Sequence, residues 1–193
     1  MSTFITGGCS FTYGSELSDD DKGKQPSRKS WAYNLFQELS GWNNNLEFVS
    51  TAKPGSGNSG IARRVFNSVA NIKEVRGVVV MWSFNSRYDW AMPRHRELEG
   101  TRWATISPWD TSMSSDERHQ ALAGSEGQQE QWKHRADLMI ETGVKPFAEA
   151  IYRYGANEYH ETYQSWKSII WLQNILEKKK IPFMFTLADN SLF

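Results

Sequence analysis

The residues best suited to chemistry lie in three short segments rich in glycine, serine and asparagine. These segments are residues 8–14, 53–59 and 83–89. They contain Ser10, Gly57 and Asn85, respectively, and each follows a stretch of β-forming residues. In parallel α/β sheets, ligands bind outside the carboxyl ends of the strands. The sequence therefore predicts that the three segments converge on one binding site.

The second segment also allows a different interpretation. Residues 55–60 match the glycine spacing of a dinucleotide-binding loop, G-x-G-x-x-G, and a helical pattern follows them. In that motif the loop follows its strand directly, and an acidic residue closes the next strand. Here residues 51–54 intervene and the next strand ends in Trp82 and Ser83. Dinucleotide binding is therefore the weaker alternative.

The histidines do not show the spacing of metal ligands. They are His95, His119, His134 and His160. Structural and catalytic zinc sites draw on clustered His, Cys or carboxylate ligands at short intervals. We therefore expect neither a metal ion nor another cofactor.

Composition narrows the class of protein. The 193 residues include 22 basic and 22 acidic side chains, so the formal net charge is zero. This balance predicts no general attraction to nucleic acid or to an anionic membrane. The N-terminus lacks the basic and apolar regions of a signal peptide, no apolar run approaches the roughly 20 residues of a membrane span, and Cys9 is the only cysteine. We expect a soluble cytoplasmic protein.

Strand and helix patterns alternate along the chain. Strands are predicted at residues 3–6, 46–49, 77–82 and 181–187. A helix is predicted to begin after an N-cap at Ser30 and to end at Gly41, another continues from Ile61, and a longer one covers residues 158–179. This alternation indicates a parallel α/β sheet with right-handed crossovers. We interpret residues 1–193 as a single domain.

The long helix is predicted to turn one apolar face to the core. Its members are Tyr159, Tyr163, Trp166, Ile169, Ile170, Gln173 and Leu176. The fourth strand, residues 181–187, is apolar on both faces, which is typical of a strand with neighbours on both sides. Three explanations stay open: a longer protein, which we favour, a partner or a second copy of the chain covering this edge, or sufficient cover from the earlier helices.

An enlarged, mainly helical insertion, residues 86–157, separates the third and fourth strands. Its first part, to about residue 127, has an irregular pattern, and helical patterns follow at residues 128–140 and 145–154. Trp90, Trp103 and Trp109 lie in the irregular part. Two roles stay open for them: a lid or sugar-stacking wall above Ser10, or anchors that hold a long loop onto the domain.

The three segments resemble the conserved blocks of the SGNH (GDSL-like) serine hydrolases. Gly-Cys-Ser at residues 8–10 resembles the first block, Gly57 stands where the second block has its glycine, and Asn85 where the third has its asparagine. The resemblance covers roughly residues 3–90 and the fourth strand. The amino-acid sequences of the blocks are similar to those of divergent members from bacteriophages and marine bacteria. It implies a three-layer, flavodoxin-like fold with a parallel sheet.

The resemblance also implies a reaction. SGNH hydrolases cleave carboxylic esters, including O-acetyl groups on glycans, so a small-molecule or glycan ester is the expected substrate. Ser10 would be the nucleophile, and the backbone N–H groups of Ser10 and Gly57 with the Asn85 amide would form the oxyanion hole. The residues beside them are expected to contact the substrate. These are Cys9, Asn58, Ser83 and Arg87.

The sequence departs from the family in the base that activates the serine. The family's Asp-x-x-His block is absent, and the nearest analogue, Asp189 to Leu192, has leucine in the histidine position. Cys9 also replaces the family's aspartate. Serine without a base is a poor nucleophile. A non-catalytic binding or structural module with the same fold is therefore the alternative to an enzyme.

Overall fold

A computed structural model describes residues 2–19, 25–41, 45–91, 103–111, 140–141 and 143–190. Its strands are β1 (Ser2–Gly7), β2 (Leu46–Ser50), β3 (Val75–Trp82), β4 (Tyr88–Ala91), β5 (Trp103–Ile106) and β6 (Phe183–Leu187). The main sheet contains four of them in the order β2-β1-β3-β6, and every pairing in it is parallel. The predicted parallel α/β sheet is confirmed, and β1, which carries the first segment, lies inside it.

The helices are α1 (Ser10–Tyr13), α2 (Trp31–Ser40), α3 (Asn58–Asn71), α4 (Val144–Ala150) and α5 (Glu158–Lys178). The Ser30 hydroxyl accepts a hydrogen bond from the Tyr33 N–H at 3.3 Å, and the N–H of Gly41 bonds back to Gln37. This confirms both predicted ends of α2. Asn157 caps α5 in the same way, since its Oδ1 accepts from the N–H groups of Tyr159 and His160.

The sheet is covered on both faces. Side chains of adjacent strand residues point to opposite sides, and Phe4 stacks on Phe36 of α2 with ring centroids 6.3 Å apart. Its neighbour Ile5 belongs to the core cluster on the other side, which α3 and α5 complete with Val65 and Leu172. Three layers follow, with α2 on one face and α3 and α5 on the other.

The predicted core face of α5 is right at Ile169 and Leu176, which are buried, and wrong in the first turns of the helix. Tyr159 is 86% exposed and Tyr163 is 61% exposed. The buried residues of α5 are Glu161, Ser165, Ile169, Leu172 and Leu176. The prediction failed because this face begins with two polar residues that find hydrogen-bonding partners, so apolar periodicity alone does not mark it.

The segment between β3 and β6 contains regular structure that the sequence did not indicate. Strands β4 and β5 pair antiparallel, Tyr88 opposite Ile106 and Ala91 opposite Trp103. They form the β4–β5 hairpin, a name kept below. The helical pattern at residues 145–154 is occupied by α4 and a π-helical turn, Ile151–Gly155. The pattern at residues 128–140, apart from residue 140, lies outside the described residues.

Strand β6 lies at an edge of the main sheet among the described strands, and Met184 on it is 49% exposed. The predicted cover of this edge stays a prediction. Of the helices in the described ranges, none combines the length and the apolar character that crossing a bilayer requires.

Candidate functional site

Ser10 lies where the central strand of the sheet ends. Strand β1 ends at Gly7, and Ser10 is the first residue of the one-turn helix α1, with Cys9 as its N-cap. The carbonyl of Ser10 accepts hydrogen bonds from the N–H groups of Gly14 and Ser15, which closes the turn. Gly14 has a φ of 79°, a left-handed conformation that glycine adopts without steric cost. The Ser10 side chain is thereby held half-buried at the carboxyl edge of the sheet.

The first and third segments are in contact. The rings of Phe11 and Phe84 lie 6.5 Å apart at their centroids, and both residues are immediate neighbours of proposed site residues. Gly8 packs closely as well, since a Cβ built on it would lie 3.2 Å from the Met81 carbonyl oxygen and 2.0 Å from Thr12 Oγ1. The structure thus brings Ser10 and the loop of Asn85 to the same edge, as two adjacent parallel strands require.

The second and third segments are joined by Asn58, which is 2% exposed. Its side chain accepts a hydrogen bond from the Ser83 N–H at 2.7 Å and donates to the Ser83 carbonyl at 3.0 Å. It also donates to Ser165 Oγ on α5 at 3.0 Å. This amide therefore holds two loops and a helix together. Asn58 and Ser83 were predicted to contact substrate, and the structure places both in the protein interior.

Gly57 and Gly60 make room for the start of the β4–β5 hairpin. A Cβ on Gly57 would lie 2.4 Å from the Arg87 carbonyl oxygen, and one on Gly60 would lie 2.2 Å from Asp89 Oδ1. Both distances are far below van der Waals contact, so any side chain would displace the hairpin. The glycine spacing of this loop is thus explained by packing within the chain.

Asp89 binds the first turn of α3. Its Oδ2 accepts hydrogen bonds from the Gly60 N–H at 2.9 Å and from the Ser59 hydroxyl at 3.3 Å, while Oδ1 accepts from the Thr105 hydroxyl at 2.6 Å. A carboxylate at a helix N-terminus is favoured by the helix dipole. Asp89 occupies the position that a phosphate takes in a dinucleotide site, and this contact argues against that alternative.

Two arginines on α3 lie near this carboxylate. Burial lowers the pKa of the Arg64 guanidinium, and the charge of Asp89 opposes this effect. The same two influences act on Arg63, whose guanidinium lies 4.3 Å from the centroid of the Trp103 ring. Trp103 therefore fastens β5 to α3, as one of its two predicted roles requires. Trp109 offers no test, because its side chain is not described.

Asn85 and Arg87 occupy the same loop with different environments. The Asn85 Nδ2 donates to Thr162 Oγ1 on α5 at 3.2 Å. The Arg87 guanidinium lies 4.7 Å from the centroid of the Phe84 ring, and its Nη1 donates to Ser83 Oγ at 2.8 Å. Arg87 thus covers one side of the aromatic pair beside Ser10.

The remaining predicted site residue, Cys9, is fully buried and unbonded to another cysteine. Within the described ranges, no side chain forms a hydrogen bond with Ser10 Oγ, so no general base is attached to it there. His95, His119 and His134 lie outside those ranges, and His160 is at the start of α5. The same ranges contain no group of three His, Cys, Asp or Glu side chains able to hold a metal ion.

A buried tyrosine–carboxylate cluster was missed by the sequence analysis. The Tyr88 hydroxyl donates to Glu161 Oε1 at 2.9 Å, and the Tyr152 hydroxyl lies 2.6 Å from the Ser86 carbonyl oxygen. Burial raises the pKa of both tyrosines well above its usual value, and the nearby Glu161 charge raises it further. The signal available in the sequence was Glu161 itself, which stands four residues before Ser165 and eight before Ile169 on the buried face of α5.

No protein-family model and no curated protein matches the chain. Among solved structures, it is similar to AlinE4, described as an SGNH-hydrolase family esterase, and to a mutant of that esterase. Both similar structures are thus esterases. In each case the sequence identity is 11%, the TM-score is 0.43, and the alignment covers 95% of this chain. The chain spans 57% of the length of the AlinE4 chain. With similarity this distant, function has to be argued from the chain's own contacts.

Proposed function

We propose that this chain hydrolyses carboxylic esters by SGNH-type acyl transfer, with Ser10 as the nucleophile. The observation that supports the proposal is the position of Ser10: half-buried, at the end of central strand β1, and next to the loop that carries Asn85. The Ser10 hydroxyl attacks the ester carbonyl, its proton passes through a base to the leaving alcohol, and water then releases the acid. The ester class proposed includes O-acetyl groups on glycans.

The charge that develops on the carbonyl oxygen needs hydrogen-bond donors. The proposal assigns this role to the N–H groups of Ser10 and Gly57 and to the amide of Asn85. Removing one donor of this kind lowers the rate by about 100- to 1000-fold. We expect Asn85→Ala to lower kcat by that factor. Asn85→Asp is the matched variant, because it keeps the shape of the side chain but loses the donor.

The base is the component that the described residues do not place at Ser10, and Gly57 is buried under the start of the hairpin. These two observations favour a second candidate, a binding or structural module that keeps the fold without catalysis. In that case Asn85 serves only to tie its loop to Thr162 on α5.

A fluorophosphonate probe separates the two candidates, because it reacts with activated serines. For the enzyme, mass spectrometry should find the phosphonyl group on Ser10, and Ser10→Ala should abolish labelling. Ser15→Ala, a change five residues further along in the same segment, is the control and should be labelled like the native chain. Absence of labelling in folded protein would establish the module and reject the enzyme.

A further inference from the structure

A cavity of about 450 Å³ lies beside the proposed site. Its lining comes from strand β4, the α4 region, the first two turns of α5 and the start of α3. Ligand sites in proteins typically measure about 300–1,000 Å³ and combine apolar walls with a few converging polar groups. Asn85 and Arg87 line this cavity too, so it opens next to the loop assigned to the reaction.

One wall of the cavity is polar and belongs to α5. It presents His160, Glu161 and Gln164, which follow one another over a little more than one helical turn. Glu161 is 9% exposed and accepts one hydrogen bond, from Tyr88, on Oε1. In the described part of the chain, nothing donates to its Oε2, and the side chains of His160 and Gln164 have no hydrogen-bonding partner either. Unmatched polar groups around a cavity are costly unless water or a ligand satisfies them.

The apolar part of the lining is aromatic and aliphatic. Trp90 and Phe147 pack edge to face with centroids 5.0 Å apart, and Ile151 lines the same cavity. The Trp90 side chain is 48% exposed although it belongs to β4, which is otherwise anchored through Asp89. A large exposed aromatic ring in the same cavity as unpaired polar groups has the character of a binding surface.

We propose that this cavity binds a sugar ring. The apolar face of the ring would stack on Trp90, and its hydroxyl groups would donate to Glu161 and exchange hydrogen bonds with His160 and Gln164. An alkyl chain would leave these three polar groups unmatched. An organic cation would meet the positive charge of Arg87 as well as the carboxylates of Asp89 and Glu161 in the same cavity, and the Glu161→Gln variant described below distinguishes it from a sugar.

The inference deepens the proposed function, and it rests on that function in one respect: an ester on the bound sugar would be the group presented to Ser10. Asn85 connects the two, because it lines the cavity and belongs to the segment that contacts the Ser10 segment. Binding itself does not require the Ser10 hydroxyl, and the two proposals can therefore fail separately.

The test is a glycan array carrying neutral oligomers of glucose, xylose, mannose, galactose and N-acetylglucosamine, followed by calorimetric titration of the retained glycan. We expect retention of at least one type. Trp90→Ala should weaken binding about tenfold or more, which corresponds to about 1.4 kcal/mol, whereas Trp90→Phe should keep most of it.

The matched control is Trp171→Ala. Trp171 is 44% exposed, similar to Trp90, but it packs on Phe66 of α3 and does not line the cavity. Its removal should leave the affinity within about twofold. Glu161→Gln separates ligand types, because it keeps a hydrogen-bonding group for a sugar and removes the charge that an organic cation needs.

Two results would overturn the inference: an array that retains no glycan, or equal losses of affinity in Trp90→Ala and Trp171→Ala. Ser10→Ala distinguishes the two proposals. Full glycan affinity in this variant, combined with no probe labelling of the native chain, supports the sugar site and rejects the enzyme. Labelling of Ser10 without glycan retention rejects the sugar site and supports the enzyme.

Discussion

The contact between Gly60 and Asp89 allows a quantitative test of how the β4–β5 hairpin is attached. A methyl group on Gly60 would overlap the Asp89 carboxylate, with a Cβ to Oδ1 separation of 2.2 Å. The backbone of Gly60 is helical, a conformation that alanine favours over glycine by about 1 kcal/mol. The carboxylate is therefore the main obstacle to Gly60→Ala, and removing it should reverse the sign of the substitution.

The expected free energies of unfolding follow from these contacts. Forcing an extra methyl into a packed contact costs about 1–3 kcal/mol, and loss of the hydrogen bonds to the half-buried Asp89 costs about 2 kcal/mol. The packing cost is set against the helix preference of about 1 kcal/mol, so Gly60→Ala should destabilise the native chain by up to about 2 kcal/mol, and Asp89→Ala should destabilise it by about 2 kcal/mol. In the Asp89→Ala background, Gly60→Ala should be stabilising by up to about 1 kcal/mol. The coupling between the two positions is then about 1–3 kcal/mol.

Urea denaturation monitored by tryptophan fluorescence measures all four proteins of this cycle. Gly155→Ala is the control, because a Cβ there meets nothing within 4 Å and the φ of Gly155 is not positive. It should not destabilise the protein. Additive effects of Gly60→Ala and Asp89→Ala, within about 0.5 kcal/mol, would refute the contact and with it the attachment of the hairpin through Asp89.

Three further predictions concern stability. Asn58→Ala should destabilise the protein by about 2–4 kcal/mol in urea denaturation, because it leaves the buried N–H and C=O of Ser83 without hydrogen-bonding partners. An effect below about 1 kcal/mol would contradict the role given to these Asn58–Ser83 hydrogen bonds. Ser30→Ala should cost about 1 kcal/mol through loss of the α2 cap, while Ser30→Gly should cost only about a few tenths of 1 kcal/mol. Because the folded-state pKa values of Tyr88 and Tyr152 are raised, the unfolded chain loses protons first, so stability is fully present below about pH 10 and falls above it. Tyr152→Phe should flatten this alkaline decline in thermal melts, and an unchanged slope would contradict the burial of that hydroxyl.

The sheet was predictable because its strands carry strong local patterns. Val78 to Val80 form an unbroken apolar run, as expected of a strand covered on both faces, and the structure buries all three. The ends of α2 were equally clear, since a serine cap and a terminal glycine act locally. For the same reason, the position of Ser10 at the carboxyl edge followed from the strand before it.

The hairpin and the cavity were not predictable from such patterns. Strands β4 and β5 have four residues each, too few for a periodicity to stand out, and all eleven residues between them lie outside the described ranges. Asp89 gave no sign of its partner either, because it meets Gly60 from 29 positions away. Contacts of this kind depend on the assembled fold, and no local propensity encodes them.

The hydrogen bonds of the buried Asn58 side chain change how mutations in the three segments should be interpreted. Asn58 was expected to contact substrate, yet its side chain forms hydrogen bonds with Ser83 and Ser165. A variant at Asn58 that lost activity would therefore lose it through displacement of the Ser83 loop, and binding and catalysis should decline together with stability. Asn85 differs, because it is less buried than Asn58. A loss of kcat at unchanged stability, in an Asn85 variant, would place this side chain in direct contact with the reacting ester.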